Sequence, residues 1–514
     1  MKNNFKYFLL IIFLILNALQ SAKANEPFVF DVTEIEILEN GNQINGYKGG
    51  TVVSEDGSKI IAESFYYNKL TNILEAEGNV SYINNEKNTI ITSDKAIYLK
   101  NEEKIFTKGN SKAVSKDRSK IIAESFYYNK LTNILEAEGN VSYINNEKNT
   151  IITSDKAIYL KNEEKIFTKG NSKAENENNT ITASNLEYDK IQNIYKAKEN
   201  AVVYDYKKDT TINADQITYL KKEETIFTKG KTKALVEKKY KFKSEDVSYF
   251  RNLNKISSYK KSSVEDNNGN IYILDNFSYD IKDELLKGEN VNVLAKVEKN
   301  KNDQYFFSEG FFNFKDKTHI AKETKIKTHK DIFNDENHDP RLYGSSSYSD
   351  ESKTVVNNAL FTSCKINDNC PPWSIKAEKI THDKIKKDLI YKNAILKIYD
   401  FPVLYFPKFF HPDPSVKRRD GFLQPQLNNS ETLGSSLYLP YFKTLGLDKD
   451  LTIKPIFFEK FTKFEKEKYI LQSEFRKKNK DSFLIADFAF LREYNSASDK
   501  KTKNVNHLFL DYKS

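Results

Sequence analysis

The sequence predicts an all-β protein in two parts: stacked two-strand repeats of roughly 30 residues, then the first strands of an antiparallel membrane β-barrel. Three observations predict it. A long block of sequence recurs within the chain. The composition favours strands, with 31 Tyr and 35 Phe against one Trp and one Met. Apolar and polar residues alternate with a period of two over much of the chain.

The repeats come first. Ser58 to Ala113 is repeated letter for letter by Ser119 to Ala174, an offset of 61 residues. Such identity marks a recent duplication or an assembly artefact. A duplication of that size is tolerated where each added unit stacks on its neighbours. A shorter period lies inside it, because Gly78, Gly109, Gly139 and Gly170 are spaced 31, 30 and 31 apart. That length holds two strands and two turns. In Ile73 to Val80, one face carries Leu74, Ala76, Gly78 and Val80, and the other carries Glu75, Glu77 and Asn79. The second copy places Leu135, Ala137 and Val141 on the same face. Asn68-Lys69, Asn84-Asn85 and Lys100-Asn101-Glu102 supply the turns. The glycine of each unit fits a bend or a close backbone approach. Units apolar on one face build an elongated, folded-over sheet. The repeats alone leave two interiors open: an apolar groove suited to acyl chains, or a filled β-solenoid.

The chain opens as an exported protein does. Lys2 and Lys6 mark a polar start, Phe8 to Leu16 is apolar, and Ala22-Lys23-Ala24 is a small-residue cleavage site. Residues 1–24 read as a signal peptide, with the mature chain beginning near Asn25. The other reading is an uncleaved anchor, but the apolar run falls short of the about 20 residues that a spanning helix needs. No later stretch is apolar enough to span as a helix, so membrane insertion would use strands. The net charge of +9, with pI near 8.9, fits attraction to an anionic lipid. It equally fits a bias towards Lys, Asn and Ile, since the charge is spread and forms no Arg-rich patch. That spread and the export signal argue against nucleic acid.

Two cysteines, Cys364 and Cys370, lie close together, and in an oxidising compartment such a pair forms a local disulfide. Free thiols are the alternative. No further ligands stand near enough to suggest a metal. His382, His411 and Asp413 are the residues that could suggest catalysis, but His411-Pro412-Asp413-Pro414 reads as a rigid turn. Nucleophile-elbow, zinc-helix and phosphate-loop motifs are missing. The expectation is a protein that is not an enzyme and uses no cofactor.

From Gly421 strand follows strand: Leu433 to Tyr441, Leu451 to Phe458, Tyr469 to Phe475, Phe483 to Leu491 and His507 to Tyr512. Aromatics fall near strand ends, as in membrane-barrel girdles. The stretch has room for roughly five or six strands, while a closed barrel takes at least about eight. The chain is therefore expected to be an N-terminal fragment whose barrel is incomplete. Pro425 and Pro440 fall inside the first two of these strands.

At this point the sequence resembles a family. Ala76-Glu77-Gly78-Asn79-Val80, after an apolar-aromatic strand, is similar to the repeats of periplasmic lipopolysaccharide-transport proteins, which share a V-shaped β-jellyroll. Residues 339 to 455 resemble the LPS-assembly outer-membrane family (OstA, organic solvent tolerance). The resemblance runs in order through Asp339-Pro340-Arg341-Leu342-Tyr343-Gly344, Pro371-Pro372-Trp373-Ser374-Ile375-Lys376-Ala377 and Thr381-His382-Asp383. It continues through Tyr391 to Ala394, Phe401 to Pro407, His411 to Arg419, Gly421 to Pro425, Leu439-Pro440-Tyr441 and Asp448 to Thr452.

The resemblance implies a periplasmic β-jellyroll over residues 25–415, with a junction region at 339–415. Outer-membrane barrel strands would follow from 416 to 514. It implies that lipopolysaccharide arrives from a periplasmic jellyroll bridge protein, with its acyl chains against the face of Leu74, Ala76, Val80, Leu135, Ala137 and Val141. The lipid would leave sideways into the outer leaflet through a seam that Pro425 and Pro440 weaken. A plug lipoprotein inside the barrel is the other implied partner. Trp373, with Pro371 and Pro372, is expected to pack at the junction. Lys417, Arg418 and Arg419 would meet lipid phosphates or form a solvated basic turn. Two departures stand out. The family's cysteines that join jellyroll to barrel have no counterpart beyond Cys364 and Cys370, and the repeat region is about one block longer than expected. A soluble periplasmic bridge protein would leave residues 421–514 unexplained, and a β-solenoid adhesin would leave Pro371-Pro372-Trp373 unexplained.

Overall fold

A computed structural model of the chain describes residues 27–298, 301–328, 339–365, 372–413, 416, 418–430, 434–458, 469–494 and 502–514. The signal segment lies outside them. The described residues are almost entirely strand, as the composition and alternation predict. No described helix is long and apolar enough to cross a membrane. The chain divides into two compact units, Met1–Ile326 and Lys327–Ser514.

The first unit is a run of long antiparallel strands, each bent once. Ile73–Asn84 shows how the sequence makes the bend. Its register with Thr89–Leu99 runs from Ile73↔Leu99 to Glu77↔Lys95, shifts, and resumes at Val80↔Ser93. Gly78 and Asn79, in the gap, both take positive φ, +80° and +46°. Glycine enters that region freely and Asn at little cost, so the pair turns the strand a corner. The same corner recurs at Gly109-Asn110, Gly139-Asn140 and Gly170-Asn171. One degenerate unit puts Glu199-Asn200 there, with Glu199 held at φ +63°.

Before the corner the strand lies in one layer, and after it in a second layer that folds back over the first. Leu74, Ala76, Val80 and Tyr82 face inward across the bend, as the period-two pattern predicts. The identical strand Ile134–Asn145 does the same with Leu135, Ala137, Val141 and Tyr143. Tips are closed by asparagines at positive φ, among them Asn72 and Asn133, whose amides donate to Asn101 and Asn162 of the next tip at 2.9 and 2.8 Å.

This modularity makes a prediction. Deleting residues 58–118 joins Gly57 to Ser119, which begins the second copy, so each remaining strand keeps the neighbours it had. The shortened protein is expected to fold and to complement a depletion strain. Loss of folding after the deletion would show that the copies are not interchangeable.

The second unit begins with an antiparallel meander of Arg341–Ser349, Lys353–Thr362, Trp373–Asp383, Asp388–Ile398 and Phe401–Pro412. A separate sheet follows from Gly421. Its strands are Gly421–Phe422, Gln426–Ser430, Gly434–Tyr438, Tyr441–Thr444, Lys449–Phe458, Tyr469–Lys478, Phe483–Tyr494 and Thr502–Lys513. One expectation changes here. Pro425 and Pro440 are not inside strands but in the breaks between strand segments, at 423–425 and 439–440. Proline has no N–H for the ladder, so each strand stops at it and resumes beyond it.

Candidate functional site

The inward face of the first unit is the candidate for holding an apolar ligand. Its six sequence-predicted residues, Leu74, Ala76, Val80, Leu135, Ala137 and Val141, are brought together in one continuous hydrophobic core. None is more than 4% exposed. Each fully buried Leu or Val contributes about 1.5–3 kcal/mol to keeping the layers together. Beside Leu135 the interior leaves a void of only about 10 Å³, lined also by Tyr128, Tyr159 and Lys161. That is room for about one water molecule. The face is apolar as expected, but in this structure protein fills it. A larger cavity of about 410 Å³ crosses the strands on their outward side, where Phe106, Tyr127, Ile158 and Phe167 stand among Glu136, Glu138, Lys156 and Lys169.

The mouth of the folded sheet, opposite the corners, carries residues that the sequence reading passed over. Tyr98, Tyr128, Tyr159, Tyr188, Tyr219 and Tyr249 are buried one strand position inside the tips of the first layer. Two residues after each of these tyrosines comes a cation, and from Lys130 onward it points back under its own tip. Lys130 Nζ lies 2.8 Å from Asp56 Oδ2 in a turn of the second layer, and 2.6 Å from Glu103 Oε2 in its own layer. Lys190 repeats this with Asp117 at 3.1 Å and with Glu164. Arg251 pairs with buried Asp205 at 2.7 Å and with Glu224. Lys161 and Lys221 reach across to neutral oxygens: Thr89 Oγ1 for Lys161, and the Lys148 carbonyl at 2.7 Å for Lys221.

Burial would raise the Asp56 and Asp117 carboxyls, but hydrogen bonds and charge from the lysines and from Ser58 and Ser119 hold both below the ordinary carboxylate range. A depressed carboxylate stabilises the fold above its unfolded pKa, and the contribution is lost only as pH falls through the lower folded value. Burial, only partly opposed by the charge of Glu164, pushes Lys161 down to about 8.

In the second sheet the two faces differ in kind. One face carries Leu451, Ile453, Leu471, Phe475, Phe488, Leu508 and Leu510, aligned across strands by register. Leu471, Phe488, Leu508 and Leu510 are exposed. The other face carries a polar network. Asp450 accepts from Arg418 at 2.9 Å and from Arg476 at 2.8 Å, Lys454 pairs with Glu474, and Gln472 donates to Asp487 at 2.7 Å. Apolar on one face and polar on the other is the pattern of a membrane barrel wall. At the proline breaks, Leu423 N–H donates to the Pro440 carbonyl at 2.8 Å and Leu439 N–H to the Pro455 carbonyl at 3.2 Å. These two bonds replace a regular ladder.

The junction residues are committed to protein. Arg418 also donates to the Leu447 carbonyl at 2.6 Å, and Arg419 to the Lys386 carbonyl at 2.6 Å and Asp388 at 2.7 Å. They brace the two sheets of the second unit rather than form a solvated turn. Lys417 lies outside the described residues. His411 hydrogen-bonds Tyr391 of the neighbouring strand at 2.8 Å, and His382 contacts Asp413, just past the end of Phe401–Pro412, at 2.8 Å, so both histidines serve as structural ties. Trp373 packs its ring 6.0 Å from that of Phe361, the packing role expected of it.

Among the described residues Cys364 makes no disulfide, and its Sγ lies 3.7 Å from the Trp373 carbonyl. Cys370 lies outside the described residues. Non-reducing peptide mass spectrometry of the exported protein is expected to find Cys364 linked to Cys370. Recovery of two free thiols would refute it.

The profile of the OstA-like protein family matches residues 91–245, the heart of the repeat region. The LPS-assembly protein LptD of Pseudoalteromonas translucida is 29% identical over 158 residues, 31% of this chain and 20% of the relative. That of Shewanella denitrificans is 35% identical over 121 residues, 23% of this chain and 15% of the relative. The matched stretch thus spans a fifth or less of these relatives' own length. Among solved structures, the periplasmic protein LptH of Pseudomonas aeruginosa is similar at 15% identity and a TM-score of 0.21, covering 22% of this chain and 84% of that one. Over these matched stretches the chain is similar to the OstA-like and LPS-assembly proteins.

Proposed function

We propose that the protein transports lipopolysaccharide to the outer membrane and assembles it there, without covalent chemistry. Residues 25–415 form the periplasmic part, and the sheet from 416 onward belongs to an outer-membrane barrel. The observation that carries the reading is the contrast between the two sheets. One encloses a continuous apolar interior through stacked repeats. The other turns an apolar face outward, where lipid would cover it, and keeps its charges on the opposite face. The acyl chains travel in the interior of the first. The lipid leaves through the second where Pro425 and Pro440 interrupt pairing.

Two partners complete the reading. Phe28–Leu38 pairs with Gln43–Ser54 along one edge, and Val29, Ile35 and Ile37 are exposed. Such an edge offers main-chain hydrogen bonds to a strand of a jellyroll bridge protein. A plug lipoprotein would occupy the polar side of the barrel wall.

Photo-crosslinking tests the lipid path. A benzophenone residue at Leu74 or Leu135 is expected to capture lipopolysaccharide in cells, while one at Glu75 or Glu136 should not, because adjacent side chains point to opposite faces. Adducts on both faces would mean that the lipid runs along the outside. Adducts confined to residues beyond Gly421 would make the repeats a spacer.

A further inference from the structure

Around Leu135 the interior is filled by buried side chains, with a void of about 10 Å³ among them, so the two layers must part to admit an acyl chain. On one side they are joined covalently, since every long strand runs through a corner such as Gly139-Asn140. On the other side nothing covalent joins them. The mouth is held by side chains from the tips of one layer to the turns of the other.

These stitches recur with the repeat. Lys130, Lys190 and Arg251 follow one another at 60 and 61 residues. Lys130 and Lys190 bridge to Asp56 and Asp117, themselves 61 apart. Arg251 bridges to Asp205. Tyrosine hydroxyls add further bonds between layers: Tyr195 with Thr150 at 2.9 Å and Tyr249 with Asp205 at 2.9 Å. Lys161 and Lys221 close the alternate tips on neutral oxygens. A seam of ion pairs and hydrogen bonds can part in water and remake itself, whereas a filled apolar core opposite a covalent bend cannot slide.

We propose that this row of tip cations is a latch along the length of the first unit, and that acyl chains enter and leave the interior sideways when it opens. The proposal rests on the lipid-transport reading and adds the route. The corner is the hinge, and the mouth is the moving lip. The lock is a set of independent pairs, so it can open locally around a passing lipid while neighbouring repeats stay shut.

The test uses the full chain purified in detergent, with Cys364 and Cys370 replaced by serine. Nitroxides at Lys116→Cys and Ile191→Cys stand on the two lips beside the Lys190–Asp117 pair; both side chains are exposed. The parent and Lys190→Arg should show one narrow distance. Combining Lys130→Met, Lys190→Met and Arg251→Met keeps the stems and removes the charges. It should raise a second, longer population at least about tenfold, as loss of buried pairs across a two-state opening requires.

The same proteins carry the crosslinker at Leu135 and are mixed with lipopolysaccharide. Adduct should rise in the triple variant. It should vanish when a short bismaleimide bridges the two cysteines. If the triple variant does not fold, Asp56→Asn with Asp117→Asn, which removes the partners across the mouth, is read in its place. An unchanged distance in the charge variants overturns the latch. So does a mouth that opens while the Leu135 adduct ignores both opening and bridging, since the lipid would then thread from the end of the sheet. If no variant, the parent included, ever forms an adduct, the lipid reading fails, and the distances still decide whether the seam is the moving side.

Discussion

Asp205→Ala is expected to lower the unfolding free energy of the first unit by about 3–5 kcal/mol, the cost of stranding a buried charge. Asp205 is fully buried and accepts from Arg251 Nε at 2.7 Å, Tyr249 Oη at 2.9 Å, and the backbone N–H groups of Lys207 and Lys208 at 3.0 and 3.2 Å. Removing the carboxylate leaves Arg251 buried with only Glu224 and the Tyr219 hydroxyl beside it. It also leaves a tyrosine hydroxyl without an acceptor. Adding Arg251→Met should recover part of the loss, because replacing both partners of a buried pair by apolar groups is often close to neutral. Hydrogen exchange on the full chain reads this unit separately from the second. A loss below about 1 kcal/mol, the scale of an exposed pair, would mean that water reaches the seam.

The second large effect is expected at Tyr195. It is 1% exposed, stacks on Tyr188 at 4.5 Å, lies 6.0 Å from Tyr219, and bonds Thr150 Oγ1 across the layers. Tyr195→Ala opens a cavity among stacked rings and should cost about 3–5 kcal/mol. Tyr195→Phe keeps the rings and loses one hydrogen bond, and should cost about 0.5–1.5 kcal/mol. Thr150 is not left unsatisfied, since it also donates to the Lys148 carbonyl at 3.1 Å. The ratio of the two losses is the informative quantity. If Phe costs as much as Ala, the inter-layer bond rather than ring packing holds the mouth, and the core contributes less than its burial implies.

Much of the fold was legible before any coordinates. Alternation in Ile73 to Val80 gave the inward face correctly, because a half-buried strand has no other way to dispose of its apolar side chains. The glycine period marked the corners, because a positive φ is a backbone demand that sequence reports directly. Other features were written in the sequence but not readable from it. Tyr98-Leu99-Lys100, Tyr128-Asn129-Lys130 and Tyr159-Leu160-Lys161 spell a Tyr-x-Lys step at successive tips. A lysine in a turn ordinarily reads as solvated. Only the folding-over of the second layer turns it into a buried bridge. The filling of the interior was likewise invisible, since alternation gives the sign of a face and says nothing about what stands opposite. Pro425 and Pro440 were seen as anomalies in strands. The structure resolves them as the points where strands stop.

Four strands, Ile73–Asn84 through Lys120–Asn129, separate a residue from its duplicate 61 positions on. Strands stack at about 4.8 Å, so one block is about 19 Å of track. Because Ser58 to Ala113 and Ser119 to Ala174 are identical, recombination between them at any point restores an unbroken repeat. The length of such a stack is therefore a digital property. It can lengthen or shorten by whole blocks in a single genetic event, with no new interface to evolve.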